Sequence, residues 1–247
     1  MKGVLRIIQY NWHYYAASLV VIAVFAIVLR LELISPALRI FLLSVGTIVG
    51  FWILSSLLAS YYIYDYAAVT RGGWIPTALR CPPVRWLNVH AGLEEFTHAL
   101  VSLYPDSEGI GVDIYDADEM TEPSIARARR LSPPQESRTM AQPDSLPFPT
   151  GSRDTLFFLL AAHEVRKSAG RVALCKEAAR VLAGPGQLLL AEHLRDWRNF
   201  LAFGPGCLHF HSRQEWMRVA HAAGMCVERE GSATPFVRWF LLRKTEA

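Results

Sequence analysis

Charge is the first thing missing. Residues 7–29 contain no Asp, Glu, Lys or Arg, and neither do residues 40–64; each run is long enough to cross roughly 30 Å of hydrocarbon as a helix. Cysteine is nearly as scarce. Cys81, Cys175, Cys207 and Cys226 sit far apart with no C-x-x-C pair, which excludes a disulfide framework and a cysteine-based structural zinc site. The net charge is only +3 and no basic stripe is interleaved with aromatics, so nothing points to a nucleic acid partner. His209-Phe210-His211 has no carboxylate or cysteine at ligand spacing beside it, and no metal is assigned there.

What is present begins with an apolar front. The 247 residues are 52% hydrophobic, above the usual level for a soluble domain, and the excess lies before Asp65. Two membrane spans are expected, 7–29 and 40–64, within an amino-terminal unit 1–65. The connector 30–39, with Glu32 and Pro36, is short enough to make them an antiparallel hairpin, so both termini share one side. Lys2, Arg6, Arg71, Arg80 and Arg85 favour the cytoplasm for that side; Arg30 and Arg39 weaken this bias without reversing it. The expectation is an integral membrane protein with the bilayer as partner and its folded domain cytoplasmic. A cleavable signal peptide fits less well, because 7–29 exceeds a signal core and a second apolar run follows. Residues 66–83, rich in Gly, Pro and Arg, read as a juxtamembrane linker, with Trp74 expected on the bilayer surface.

From residue 84 to 247 strands alternate with helices, which predicts an α/β sheet. Residues 84–90 alternate as a strand; Phe96, Ala99, Leu100 and Leu103 mark a helix; Ile110-Gly111-Val112-Asp113 is a second strand. The turn His90-Ala91-Gly92-Leu93-Glu94-Glu95 keeps a single glycine, Gly92. Asp113 follows about twenty residues later, where an acid can accept ribose hydroxyls. A helix over 117–131, a proline-rich loop over 132–151 with a short strand near 138–141, and a buried strand over 155–162 come next. A helix over 172–182 is broken by Gly184-Pro185-Gly186. A strand follows over 187–191, ending in Glu192-His193. Ser212 and Glu215 open a capped helix ended by Gly224, and two final strands joined by a short turn predict an antiparallel edge. The Arg127-Ala128-Arg129-Arg130 cluster reads as a solvated helix face or a contact with anionic headgroups.

Several of these phrases together resemble the class I S-adenosylmethionine-dependent methyltransferases, in the branch acting on quinones, lipids and other small molecules. The resemblance runs over 84–244 and rests on Gly111-Val112-Asp113, Leu146-Pro147-Phe148-Pro149, Ala162-His163-Glu164-Val165 after a buried strand, and Arg180-Val181-Leu182-Ala183-Gly184-Pro185-Gly186-Gln187. It implies a Rossmann-like, mostly parallel sheet with an antiparallel edge strand, and S-adenosylmethionine as cofactor, released as S-adenosylhomocysteine. It also implies a cofactor site built from Asn88, His90, Gly92, Asp113, Gln142 and Ala162. His163 is the first candidate for general base and His193 the second. Trp197, Phe203, Phe210 and His211 are candidates to line the pocket of a small, hydrophobic or lipid-like acceptor. Asn88 stands where the family usually has an acid, and His90 and Glu94 replace glycines, with side chains that could obstruct the cofactor. Two readings stay open: an active membrane-anchored methyltransferase, or an inactive methyltransferase-like membrane-tethered scaffold. A nicotinamide-dependent reductase is disfavoured because the turn lacks glycines and no Tyr-x-x-x-Lys pair occurs.

Overall fold

The computed structural model describes residues 2–31, 34–92, 94–131 and 139–245. Glu32 of the expected connector, Leu93 of the turn and the first part of the proline-rich loop, 132–138, lie outside them. Among the described residues seven strands form one sheet: β1 (Arg85–His90), β2 (Glu108–Asp113), β3 (Thr139–Met140), β4 (Arg153–Leu159), β5 (Leu182–His193), β6 (Met225–Thr234) and β7 (Val237–Lys244). Their order is β3-β2-β1-β4-β5-β7-β6, parallel through β5, with β7 antiparallel to both of its neighbours. Among the described residues eight α-helices accompany it: α1 (Lys2–Val28), α2 (Pro36–Ser60), α3 (Ile75–Ala78), α4 (Thr97–Leu103), α5 (Pro123–Leu131), α6 (Ser168–Val181), α7 (Trp197–Phe203) and α8 (Arg213–Ala222).

Strand alternation divides the apolar side chains between two faces. Leu87, Val89, Leu156 and Leu190 meet Leu174 and Ala178 of α6 and Trp216 and Val219 of α8 on one side. Trp86, Phe157, Leu189 and Leu241 meet Leu100 of α4 together with Ile63, Val69 and Ile75 on the other. Each such fully buried large side chain contributes about 1.5–3 kcal/mol. The stretch expected to be a linker is therefore part of the second core. Trp74 packs against it and donates its indole N–H to the Val69 carbonyl at 3.0 Å.

α1 and α2 are long and apolar enough to cross a membrane, and only 0% and 6% of their most apolar windows are buried. A core helix of a soluble fold hides such a surface. Here Leu19, Ile27, Ile40, Phe41, Phe51 and Leu54 are each at least 52% exposed. The pair is antiparallel: the Asp65 carboxylate, just beyond α2, caps the start of α1 by accepting the Gly3 and Val4 N–H groups at 3.0 and 2.8 Å. Part of the hairpin is flanked by the domain. Arg127 of α5 donates to the Tyr10 carbonyl and meets His13 Nδ1, and Phe200 of α7 stands edge-on to Trp52 at 5.5 Å. The lengths beyond those contacts, 14–28 and 36–51, span roughly 22–24 Å at 1.5 Å per residue, somewhat less than the hydrocarbon thickness.

Candidate functional site

The strand order reverses between β1 and β4, since β2 and β3 lie to one side of β1 while β4 and β5 lie to the other. The crevice at the carboxyl ends of strands at such a switch point is where open α/β sheets hold ligands. β1 ends at His90, in register with Asp113 at the end of β2. Both are buried, and Asp113 is fully so. Gly92 then turns the chain with φ +86, a conformation that glycine takes without strain.

Each Asp113 oxygen is engaged. Oδ1 accepts the Tyr115 N–H at 3.0 Å, and Oδ2 accepts Arg129 Nη1 at 2.6 Å. The Arg129 guanidinium also lies 4.2 Å over the Tyr115 ring. A Cβ placed on Gly92 would stand 2.7 Å from Arg129 Nη1, so the arginine fills the space beside the glycine. The group in that space comes from α5, not from the turn. His90 Nδ1 lies 3.9 Å from Asp113 Oδ1, and Glu94 reaches over Gly111. Asn88 donates to Thr97 Oγ1 at 2.9 Å and so fixes the start of α4, while Gln142 is exposed in a tight turn closed by the Ser145 N–H. Sequence reasoning missed Arg129. Its signal was the period: Arg129 is four residues after the buried Ile125 and shares its helix face, whereas Leu131 of the same helix is 58% exposed.

Comparison with known structures follows from this topology. A SAM-dependent methyltransferase from Aquifex aeolicus superposes with a TM-score of 0.54 at 15% identity, covering 74% of this chain and 92% of its own. The pyocyanin biosynthetic protein PhzM gives 0.53 at 16% identity over 76% of this chain and 58% of its own, and a Pyrococcus horikoshii OT3 protein 0.51 at 16% over 74% and 91%. The chain has the class I methyltransferase fold. No protein-family model matches it, and no curated protein sequence does.

Within this methyltransferase fold the ends of β4 and β5 bring a second set of polar groups to the crevice. Leu160, in the left-handed region at φ +54, turns the chain out of β4. The next three N–H groups, from Ala161, Ala162 and His163, then converge on Glu192 Oε1 at 3.2, 2.8 and 3.2 Å. Glu192 Oε2 meets His163 Nδ1 at 2.6 Å, and His163 Nε2 meets Glu164 Oε1 at 3.0 Å. Burial works against a charged His163, but Glu192 and then Glu164 outweigh it and push its pKa up to about 10. Burial likewise works against the Glu164 carboxylate, and His163 outweighs it and holds the acid well below its usual range. Glu164 Oε2 is buried and makes no hydrogen bond among the described residues.

His193 is buried beside this set. Its Nδ1 lies 3.0 Å from the Phe236 carbonyl and its Nε2 3.3 Å from the Tyr64 hydroxyl; burial, then the nearby His163, lowers its pKa to about 4. Its ring stacks on Phe210 at 4.9 Å, and Phe203 stands edge-on to both. Phe203 and Phe210 thus form one aromatic wall with His193. His211, buried, stands edge-on to Trp216 at 5.7 Å, with its Nε2 unpartnered among the described residues. Trp197 points out, 67% exposed.

Proposed function

We propose that the chain binds S-adenosylmethionine across the ends of β1 and β2 and transfers its methyl group to a small apolar acceptor held at the ends of β4 and β5. The observation that carries this reading is the convergence of Gly92, Asp113, His163 and Glu192 on the crevice at the switch point of a methyltransferase sheet. Gly92 leaves backbone bare beside a fully buried carboxylate, and what fills the gap is the far end of a long side chain. The residues therefore fit the cofactor once Arg129 swings aside. Asp113 would then accept the ribose hydroxyls, with the guanidinium donor now standing in for one of them. Gln142 is near enough along the chain to β3 to approach the adenine, and the turn at Ala162 borders the methionyl end. When bound, S-adenosylmethionine supplies a methyl group already activated on a sulfonium, so the protein's work is positioning.

For an acceptor bearing a hydroxyl, the unpartnered Glu164 Oε2 would accept its hydrogen bond, a positioning contact and not a proton transfer. His163 acts as a positioning residue: Glu192 holds its Nδ1 and its Nε2 holds Glu164. His193, with both nitrogens engaged, serves with Phe203 and Phe210 as the wall of the acceptor space.

The acceptor would arrive from a bilayer. Trp197, Phe200, Leu201 and Leu208 are 67%, 43%, 49% and 61% exposed on α7 and the turn after it. That segment is fastened to α2: Ser55 Oγ donates to the Leu201 carbonyl at 2.9 Å, and Gly204, at φ +56, lies so close to Trp52 that a Cβ would stand 2.6 Å from its ring. If the hairpin inserts in the cytoplasmic leaflet, α7 dips into the interface like an amphipathic anchor, beside the aromatic wall. The rival reading, a scaffold without activity, is favoured by one observation, the Arg129 guanidinium seated on Asp113. Full-length protein in lipid nanodiscs, incubated with methyl-labelled S-adenosylmethionine and a panel of hydrophobic phenols and hydroquinones, is expected to pass label to the organic phase, and Asp113→Ala is expected to abolish it. No label with either protein would decide against methyl transfer, and equal label with both would decide against Asp113 as the residue that holds the cofactor.

A further inference from the structure

We propose a divalent transition-metal site, of the kind that suits Zn2+, formed by His163 Nε2, the Glu164 carboxylate and His209 Nε2. These residues come from two segments far apart in sequence, the turn after β4 and the turn after α7, so no spacing along the chain discloses them. In space their ligand atoms all lie within 4.8 Å of one another. His163 Nε2 is 3.0 Å and His209 Nε2 3.5 Å from the same Glu164 oxygen, Oε1. Zinc bonds of roughly 2.0–2.1 Å in a tetrahedron require ligand atoms about 3.3–3.4 Å apart. The His163 contact would have to open slightly and the His209 side to close.

The orientation of the imidazoles is the stronger argument. Metal-binding histidines almost always present their other ring nitrogen to a carboxylate or carbonyl, which fixes the ring and its tautomer. His163 does so here, its Nδ1 meeting Glu192 at 2.6 Å, while His209 turns its Nδ1 toward Glu122 at 3.8 Å, ion-pair range and longer than a hydrogen bond. Glu192 is itself locked by the three N–H groups of the β4 turn. Arg166 straps the two ligand-bearing segments by donating to the carbonyls of His163 and His209 at 3.2 and 2.6 Å.

Charge and hydrogen bonding point the same way. Glu164 and Glu192 bring two buried carboxylates to one imidazole, and a divalent ion would neutralise them. Glu164 Oε2, buried and without a hydrogen-bond partner among the described residues, is a lone pair with nothing there to hold it. Two imidazoles and one carboxylate leave a fourth position open, the pattern of zinc sites that handle a substrate oxygen rather than brace a fold. This goes beyond the methyl-transfer reading and does not depend on it. If both hold, the acceptor oxygen takes the open position.

The test uses full-length protein in detergent, stripped with chelator and titrated with Co2+ as a spectroscopic probe. One equivalent is expected to develop the visible absorption of four- or five-coordinate Co2+, and Zn2+ is expected to bleach it. His209→Ala and Glu164→Gln should each weaken Co2+ binding at least tenfold. Glu122→Gln, at a partly exposed carboxylate, should weaken it by a smaller factor while leaving the circular dichroism unchanged. Wild-type protein that develops no absorption and retains no Zn2+ after dialysis overturns the site, as does binding that is unchanged in His209→Ala. Affinity for S-adenosylmethionine, measured separately on metal-free protein, distinguishes failure here from failure of the methyltransferase reading.

Discussion

Removing the Arg129 side chain should tighten cofactor binding while loosening the free protein. Arg129 Nη1 donates to the fully buried Asp113 at 2.6 Å, and its guanidinium occupies the space beside Gly92. A ribose that reaches Asp113 must first break this contact. A hydrogen bond between charged groups is worth about 1.5–3 kcal/mol net, so Arg129→Ala should raise affinity for S-adenosylhomocysteine roughly 10–100-fold. The same substitution leaves Asp113 buried without its cation. Breaking a buried pair costs about 3–5 kcal/mol, and because the Arg129 side chain is 17% exposed the lower end applies. Isothermal calorimetry on detergent-solubilised protein reads the affinity, and thermal melts with and without ligand read the stability. The expected pattern is a lower melting temperature without ligand and a larger ligand-induced rise. Weaker binding by Arg129→Ala would refute the reasoning, since it would make Arg129 a ligand contact and not a competitor.

Other consequences are as direct. Gly92→Ala forces a Cβ to 2.7 Å from Arg129 Nη1 at φ +86 and should destabilise the fold by about 1–2 kcal/mol, read from chemical denaturation; an unchanged midpoint would contradict the turn. His193 has a folded pKa lowered to about 4 from an ordinary 6.5 by burial and by His163. The unfolded chain therefore binds the extra proton first, and stability present above pH 6.5 should fall as pH drops toward 4, by up to about 3 kcal/mol. His193→Asn should flatten that part of the melting profile. Leu201→Asp combined with Phe200→Asp places charge on the exposed face of α7 and should lower the rate on a bilayer-dissolved acceptor several-fold while leaving a water-soluble phenol unaffected; equal losses on both would remove the argument for entry from the membrane.

Much of the sheet was legible because its strands are buried on both faces. Apolar runs such as Leu156-Phe157-Phe158-Leu159 and Leu188-Leu189-Leu190 need no partner to be recognised, and the Ser212 cap appears as read, accepting the Glu215 N–H at 3.2 Å. Boundaries set by tertiary pairing were less visible. Gly184-Pro185-Gly186 reads as a break, yet β5 starts at Leu182, paired with Arg153, and absorbs the irregularity in a register shift. The helix expected over 117–131 begins only at Pro123, where a proline suits a first turn. α7, whose Trp197 and Phe203 are expected from the sequence only as pocket lining, is a helix that Asp196 caps through the Asn199 N–H at 2.9 Å. At the crevice, the positions of Gly92 and Asp113 just past and at the ends of two strands were legible because they follow from local pattern. Arg129 and His209 were not assigned, because what each does depends on where a long or ring side chain from another element ends up.

Binding of the cofactor remains the most direct test of the central claim. Calorimetric titration of full-length protein in detergent with S-adenosylmethionine and with S-adenosylhomocysteine should show one saturable site per chain, absent in Asp113→Ala. No heat from either ligand at millimolar concentration, with Arg129→Ala as silent as the wild type, would contradict it.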